Sequence, residues 1–229
     1  MARPKRDTQQ ADLQAAIKET AWKQIAETGA PTLSLRAIAR ELGITAPAIY
    51  NYFPRRDDLV TALIIDAYTS FGDSQIAARS AISADDPRGQ FWAIGVAYRD
   101  WALTYPQRYL LIFGTPIPGY EAPFEKVLPS SARSLSALAE TVEALRLANK
   151  LHTENFPQVK EEYRPYLDIW RKHVSNVDML SLAVAMLIWS RVHGLVSLEI
   201  THAMPPFGPN GDALYRYELS LITKEFVIS

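Results

Sequence analysis

Apolar residues recur at helical spacing along most of this chain. Between residues 11 and 28, Leu13, Ile17, Ala21, Ile25 and Ala26 fall on one face, and Gly29 follows as a C-terminal stop. Leu35, Ile38, Ala39 and Leu42 then stand at i, i+3, i+4 and i+7, behind Ser34 as an N-cap and ahead of Gly43. Thr45 caps a short third helix that stops near Phe53-Pro54. A fourth begins around Arg56, Asp57 and Asp58, whose carboxylates suit a helix N-terminus, with Leu59, Leu63 and Ala67 as its buried stripe.

Further along, "SADDPRG" (83–89) reads as a linker, and a strongly aromatic helix follows it. Residues 113–123 form a Pro/Gly-rich loop. Residues 124–151 are helical, with a break or kink expected near Pro129. A turn at Phe156-Pro157 leads into a helix through Trp170. Residues 177–203 make a long apolar helix, "MPPFGPNGD" (204–212) a loop, and residues 213–227 a final helix. No strand-period run exceeds a few residues and no repeat is present. The expected fold is all-α, with about nine or ten helices.

A length of 229 residues, 48% hydrophobic and 21% charged, fits a globular protein of one or two domains. The chain has no cysteine, which excludes disulfides and thiolate chemistry and favours the cytoplasm. "MARPKRDTQQ" is basic, but no apolar run follows it, so a signal peptide is not expected. The greasy stretch from Met179 to Trp189, bounded by Asp178 and Arg191, is shorter than the roughly 20 apolar residues a bilayer span needs, so no membrane partner is expected. Net charge is −1 but uneven. Residues 1–60 hold nine basic and seven acidic side chains, a net +2, and the remainder is −3. That asymmetry permits nucleic-acid binding near the N-terminus.

Residues 34–53 have the layout of a helix-turn-helix: two short helices, a corner at Gly43-Ile44, and Ile38, Leu42, Ile49 and Phe53 facing inward. Gly43 can take positive φ at the corner. The small residues Ala46, Pro47 and Ala48 let the recognition helix come close to base edges, and the alanine methyls can touch a thymine methyl. Ser34 and Thr45 cap their helices, and Thr45 can also donate to a phosphate. Tyr50, Asn51 and Tyr52 carry polar tips suited to phosphate oxygens. Arg56, opening the fourth helix, supplies a cation for another phosphate. The same spacing also occurs in all-α proteins that never touch DNA.

The run "LSLRAIARELGITAPAIYNYFPRRDDLVTALI" closely resembles the DNA-binding domain of the TetR family of bacterial repressors. Ile38-Ala39, Leu42-Gly43-Ile44, Ile49-Tyr50-Asn51-Tyr52-Phe53, Arg56-Asp57 and Leu59 match its pattern in order and spacing over about residues 11–65. Arg56 stands where lysine is usual. Ala46 and Ala48 offer no hydrogen-bonding side chain, which throws direct readout onto Arg36 and leaves more to methyl contacts and DNA shape. "IWSRVHGLVSLEI" resembles a subtype of the family's C-terminal domain with a Trp-x-x-x-His-Gly signature, here Trp189, His193 and Gly194.

The resemblance implies a three-helix helix-turn-helix DNA-binding domain (1–56), a connecting helix (57–82), and a larger helical ligand-binding and dimerisation domain (83–229). It implies a homodimeric one-component regulator, most simply a repressor. Such a regulator binds a palindromic double-stranded DNA operator and is released by a small-molecule effector, with no cofactor. The last two helices would carry the dimer interface, and Ala183, Leu187, Ser190 and Gly194 offer a mostly small-residue stripe.

Phe91, Tyr98, Trp101, Tyr105, Tyr109 and Phe113, with Trp170, His173, Trp189 and His193, are the candidate effector residues. Each also reads as plain core or as a structural histidine. The pocket they imply is aromatic and apolar, and the 113–123 loop is a plausible access gate. Arg3-Pro4-Lys5-Arg6 reads as a DNA-tracking arm or a solvated tail. Without a His-x-x-x-His pair or a cysteine, no metal is expected. No Gly-x-Ser-x-Gly elbow, P-loop or dinucleotide fingerprint supports the rival reading of a helical enzyme. A third reading is an adaptor that keeps a helix-turn-helix without operator binding.

Overall fold

A computed structural model describes residues 6–174, 176–203 and 211–228. The basic arm at 3–5 and most of the 204–212 loop lie outside the described residues. Ten α-helices run through the described chain: α1 (Arg6–Thr28), α2 (Leu35–Glu41), α3 (Ala46–Tyr50), α4 (Arg56–Ser80), α5 (Pro87–Thr104), α6 (Pro106–Phe113), α7 (Phe124–Leu147), α8 (Arg164–Arg171), α9 (Met179–Ile200) and α10 (Asp212–Phe226). Among the described residues there is no strand. Leu151 and Val227 form a single antiparallel bridge beside the ends of α7 and α10. Pro129 lies inside α7, and the helix continues through it.

The chain divides into two compact units. Residues 1–67 and 107–127 form one, and residues 68–106 and 128–229 the other. This differs from the division expected at 56 and 83, because the segment after α5 folds with the first helices.

In the first unit, α1 buries Ile17, Ala21 and Ile25. Thr20 is buried too, while Ala26, expected on that face, is exposed. The buried stripe therefore runs Ile17, Thr20, Ala21 and Ile25 and does not extend to Ala26. Gly29, at φ 84°, closes α1 by donating to the Ile25 carbonyl at 2.9 Å. Leu35, Ile38, Ile49, Phe53, Leu59 and Leu63 complete the core. Lys18 and Asp66 pair at 2.8 Å between α1 and α4. The 107–127 segment is anchored in the same unit. The Arg108 guanidinium lies 5.1 Å from the centre of the Trp22 ring, the Tyr120 hydroxyl is 2.9 Å from Thr61 Oγ1, and Tyr109 and Ile117 are buried.

In the second unit, the end of α4 crosses α7 closely. A Cβ on Gly72 would stand 3.1 Å from the Ser134 backbone, and Gln75 donates to the Ser134 carbonyl at 3.1 Å. Arg79 and Glu140 pair nearby. Arg99 of α5 is buried, and its charge is met by Glu199 of α9 at 2.8 Å and Asp212 of α10 at 2.9 Å. The Arg99–Glu199 hydrogen bonds hold Arg99 above its usual pKa and Glu199 below the usual carboxylate range. Arg191 joins α9 to α10 through Glu218 at 2.6 Å and Glu225 at 2.7 Å. At 22 residues, α9 is as long and apolar as a bilayer span. Leu182, Val184, Ala185, Ile188, Val192 and Val196 form its buried stripe, while only 39% of the apolar stretch is buried and Leu187 and Leu198 stay exposed.

Candidate nucleic-acid interface and effector cavity

The corner between α2 and α3 is built by backbone bonds. Gly43 takes φ 64°, its N–H reaches the Arg40 carbonyl at 3.2 Å, and Ile44 donates to the Ala39 carbonyl at 2.9 Å. Ser34 Oγ accepts from the Ala37 N–H at 3.3 Å, and Thr45 Oγ1 from the Ala48 N–H at 3.4 Å. Each cap uses an oxygen lone pair and leaves the hydroxyl hydrogen available for a phosphate. Ile49 and Phe53 are buried, which orients α3 so that Thr45, Ala46, Pro47, Tyr50 and Asn51 face solvent. Ala48 and Tyr52 are half-buried.

Arg36 is exposed on α2 and has no intramolecular partner among the described residues. Arg40, exposed one turn later, adds a second cation to this edge that the expected contact set did not include. Its i+4 spacing from Arg36 is the signal that marks it in the sequence.

Arg56 is half-buried and tied into the fold. One guanidinium nitrogen donates to the Ala30 and Pro31 carbonyls at 3.1 and 3.2 Å, tying α4 to the turn after α1. The neighbouring Arg55 is the outward cation. Its guanidinium and N–H engage Asp58, which raises the arginine and lowers the carboxyl pKa.

The candidate effector residues separate into groups. Phe91, Tyr98 and Trp189 line a small cavity of about 20 Å³ in the second unit. His193 joins them, with its ring stacked on Trp189 at 4.8 Å and Nδ1 3.0 Å from the Tyr98 hydroxyl. Burial lowers the His193 pKa. Its Nε2 lies 3.3 Å from Ser197 Oγ, so both ring nitrogens have a hydroxyl neighbour.

Trp101 and Tyr105 pack elsewhere in that unit. Trp101 touches Phe71 with ring centres 4.9 Å apart and donates to Ser70 Oγ at 3.0 Å, and Tyr105 packs at a tilt on Trp101 with ring centres 5.7 Å apart. Tyr109 and Phe113 pair at 5.1 Å within the first unit, on the 107–127 segment. The helical spacing of Trp101, Tyr105 and Tyr109 is interrupted at Pro106, where α5 has ended and α6 begins. Trp170 is half-buried and His173 exposed, and neither lines a described cavity.

An open apolar groove of about 660 Å³ lies between residues 156–163 and the first half of α9. No periodicity announced it, because one of its walls is irregular chain. Ala183, Leu187 and Ser190 lie along it, while Gly194 stands beyond it on the same exposed stripe of α9.

Residues 17–63 match the family described as "Bacterial regulatory proteins, tetR family", and residues 91–222 match "Tetracyclin repressor-like, C-terminal domain". An HTH-type transcriptional regulator of Mycobacterium tuberculosis is 32% identical over 206 residues, covering 86% of this chain and 84% of the relative. The crystal structure of the regulatory protein SCO4313 is 35% identical, with a TM-score of 0.76, and covers 96% of this chain and 98% of that one. A transcriptional regulator from Saccharomonospora viridis, solved in complex with choline, shares the fold at 17% identity, with a TM-score of 0.65 over 96% of this chain and all of its own. The relatives are transcriptional regulators, which sets the enzyme reading aside.

Proposed function

The chain belongs to the TetR family of bacterial transcriptional regulators, and on that premise we propose that it is a cytoplasmic homodimeric repressor released from a palindromic operator by a small hydrophobic or aromatic effector. The observation that carries the DNA reading is the exposed edge formed by Arg36, Thr45, Ala46, Pro47, Tyr50 and Asn51, set on a buried Ile49–Phe53 base. Arg36 contributes base discrimination, the alanines methyl contact, and Ser34, Thr45, Tyr50, Asn51 and Tyr52 phosphate contact.

The dimer reading is supported by apolar groups left on the outer face of α9 and α10: Leu187 and Leu198 on one, Tyr217 and Leu221 on the other. Ser190 and Gly194 lie between the two leucines and allow close approach. The effector reading rests on the Phe91, Tyr98, Trp189 and His193 cluster. The choline complex of the Saccharomonospora relative supports small-molecule binding on this fold.

The test is an electrophoretic shift with the protein's own upstream region, run beside sedimentation. Retardation of that fragment over a scrambled one, by a dimer, is expected. A stable monomer, or equal affinity for both fragments, would sink the reading.

A further inference from the structure

Resting on the reading that two copies pair through α9 and α10, we propose that residues 156–163 belong to the same interface, and that the groove they form with α9 is the seat of the second copy. The groove, of about 660 Å³, is bounded by Leu180, Ala183 and Leu187 of α9 on one side and by Phe156, Val159 and Tyr163 on the other. All of it lies within the second unit. The small inner cavity beside Phe91 and Tyr98 is a different hollow.

Continuity ties the groove to the paired face. Leu187 and Ser190 line the groove, and they also stand on the exposed stripe that runs on through Gly194 to Leu198. A body that covers Leu187 covers the α9 edge of the groove as well.

Area points the same way. Leu187, Leu198, Tyr217 and Leu221 are between 41% and 69% exposed. Four side chains of at most about 200 Å² each, roughly half exposed, offer about 400 Å² of apolar surface. A permanent homodimer buries about 1,000 Å² or more per partner, about 65% of it apolar. The stripe alone falls short of that, and the apolar surface that adjoins it is the groove, with the exposed Tyr163 ring on its far wall.

The make-up of the groove suits an identical chain. Lys160 and Glu162, exposed and of opposite sign, are the charged residues among its described lining. An apolar floor bordered by charges that cancel repels neither sign on a partner. A small molecule lodged there would leave Leu198, Tyr217 and Leu221 in water, since none of them lines the groove. A second copy covers the groove and these side chains together, and two-fold symmetry makes each copy's wall meet the other's helices. The wall is already seated at both ends. Phe156 packs on Phe226 of α10 with ring centres 5.2 Å apart, and the Tyr163 carbonyl accepts from Tyr166 and Leu167 of α8 at 3.2 and 3.4 Å. Little ordering is therefore left to be lost on association.

The test uses the full-length protein, which has no cysteine of its own. Tyr163→Asp puts a charge on the exposed wall, off α9 and α10. Sedimentation should show its dimer weakened by about tenfold or more, with Tyr163→Phe near wild type. Gln158→Cys supplies a single thiol in the groove. N-ethylmaleimide should alkylate it about tenfold more slowly in the dimer than in the monomer made by adding Leu221→Lys. Circular dichroism checks that each variant folds.

Equal alkylation rates overturn the proposal. If both are fast, the groove is open to water; if both are slow, something other than the second copy fills it. A folded Tyr163→Asp that dimerises like wild type also overturns it. In these cases monomers from Leu187→Glu leave the α9–α10 dimer standing without its wall. Wild type that sediments as a monomer overturns the dimer reading and the wall with it.

Discussion

The Tyr98 hydroxyl and His193 Nδ1, 3.0 Å apart, join α5 to α9 across the wall of the inner cavity. His193 is held below its ordinary pKa of 6.5 by burial. The unfolded chain therefore takes up the proton first as pH falls. This group's contribution to stability is complete above about pH 6.5 and is lost on acidification through the lower folded value. Thermal melts between pH 8 and pH 5 should show Tm falling with acid in wild type, and a flatter profile in His193→Gln. Parallel profiles would mean that His193 titrates as freely in the fold as in the unfolded chain.

Arg36→Ala should cost about 1–3 kcal/mol of discrimination between operator and mismatched sites, since it removes an exposed guanidinium, unpaired among the described residues, beside the recognition helix. Competition titrations with single-base-pair variants measure this. Selectivity equal to wild type would move base readout elsewhere.

Arg56→Ala should behave as a stability variant. The side chain donates to the Ala30 and Pro31 carbonyls, so its loss should destabilise the first unit by about 1 kcal/mol. The salt dependence of operator binding should stay unchanged. A salt slope flatter by about one would instead restore the phosphate role expected from sequence.

Leu187→Glu and Leu221→Lys place charges on exposed apolar positions of α9 and α10 and should leave the single chain folded. Sedimentation should report monomers, and operator affinity should collapse because one half-site supplies too little binding energy. Unaltered dimers would put the interface on another face.

Residues 107–127 should open together with α1–α3. Phe53→Ala, a cavity costing about 3–5 kcal/mol, should speed hydrogen exchange in 107–127 as well as in α1–α3, with a smaller effect in α9 and α10. If 107–127 keeps its protection while α1–α3 lose theirs, Tyr120–Thr61 and Arg108–Trp22 are weak attachments.

The helix-turn-helix was legible because its determinants are local. Ser34, Gly43 and Thr45 act on neighbours within five residues, and Ile38, Ile49 and Phe53 follow one period. The second unit was legible in outline only. Spacing put Trp101, Tyr105 and Tyr109 in line, but α5 ends before Pro106, and the line breaks there. Tyr120 meeting Thr61 joins residues 59 apart in sequence, and no periodicity encodes such a pairing. Arg56 was expected as a phosphate ligand from its type and position. The fold also gives it the Ala30 and Pro31 carbonyls as partners, and a sequence displays carbonyls identically at every residue.

Gly194 sits mid-helix on the exposed side of α9, and a Cβ built there meets nothing within 4 Å. Alanine would thus fit the single chain and favour its helix by up to about 1 kcal/mol. Among the described residues nothing near the added methyl compensates for glycine in the isolated protomer. In the dimer proposed above, the advantage would be a partner backbone approaching closer than a methyl group allows. Folding and assembly therefore place opposite demands on this one position, and Gly194→Ala should separate them: a protomer that melts higher and associates more weakly.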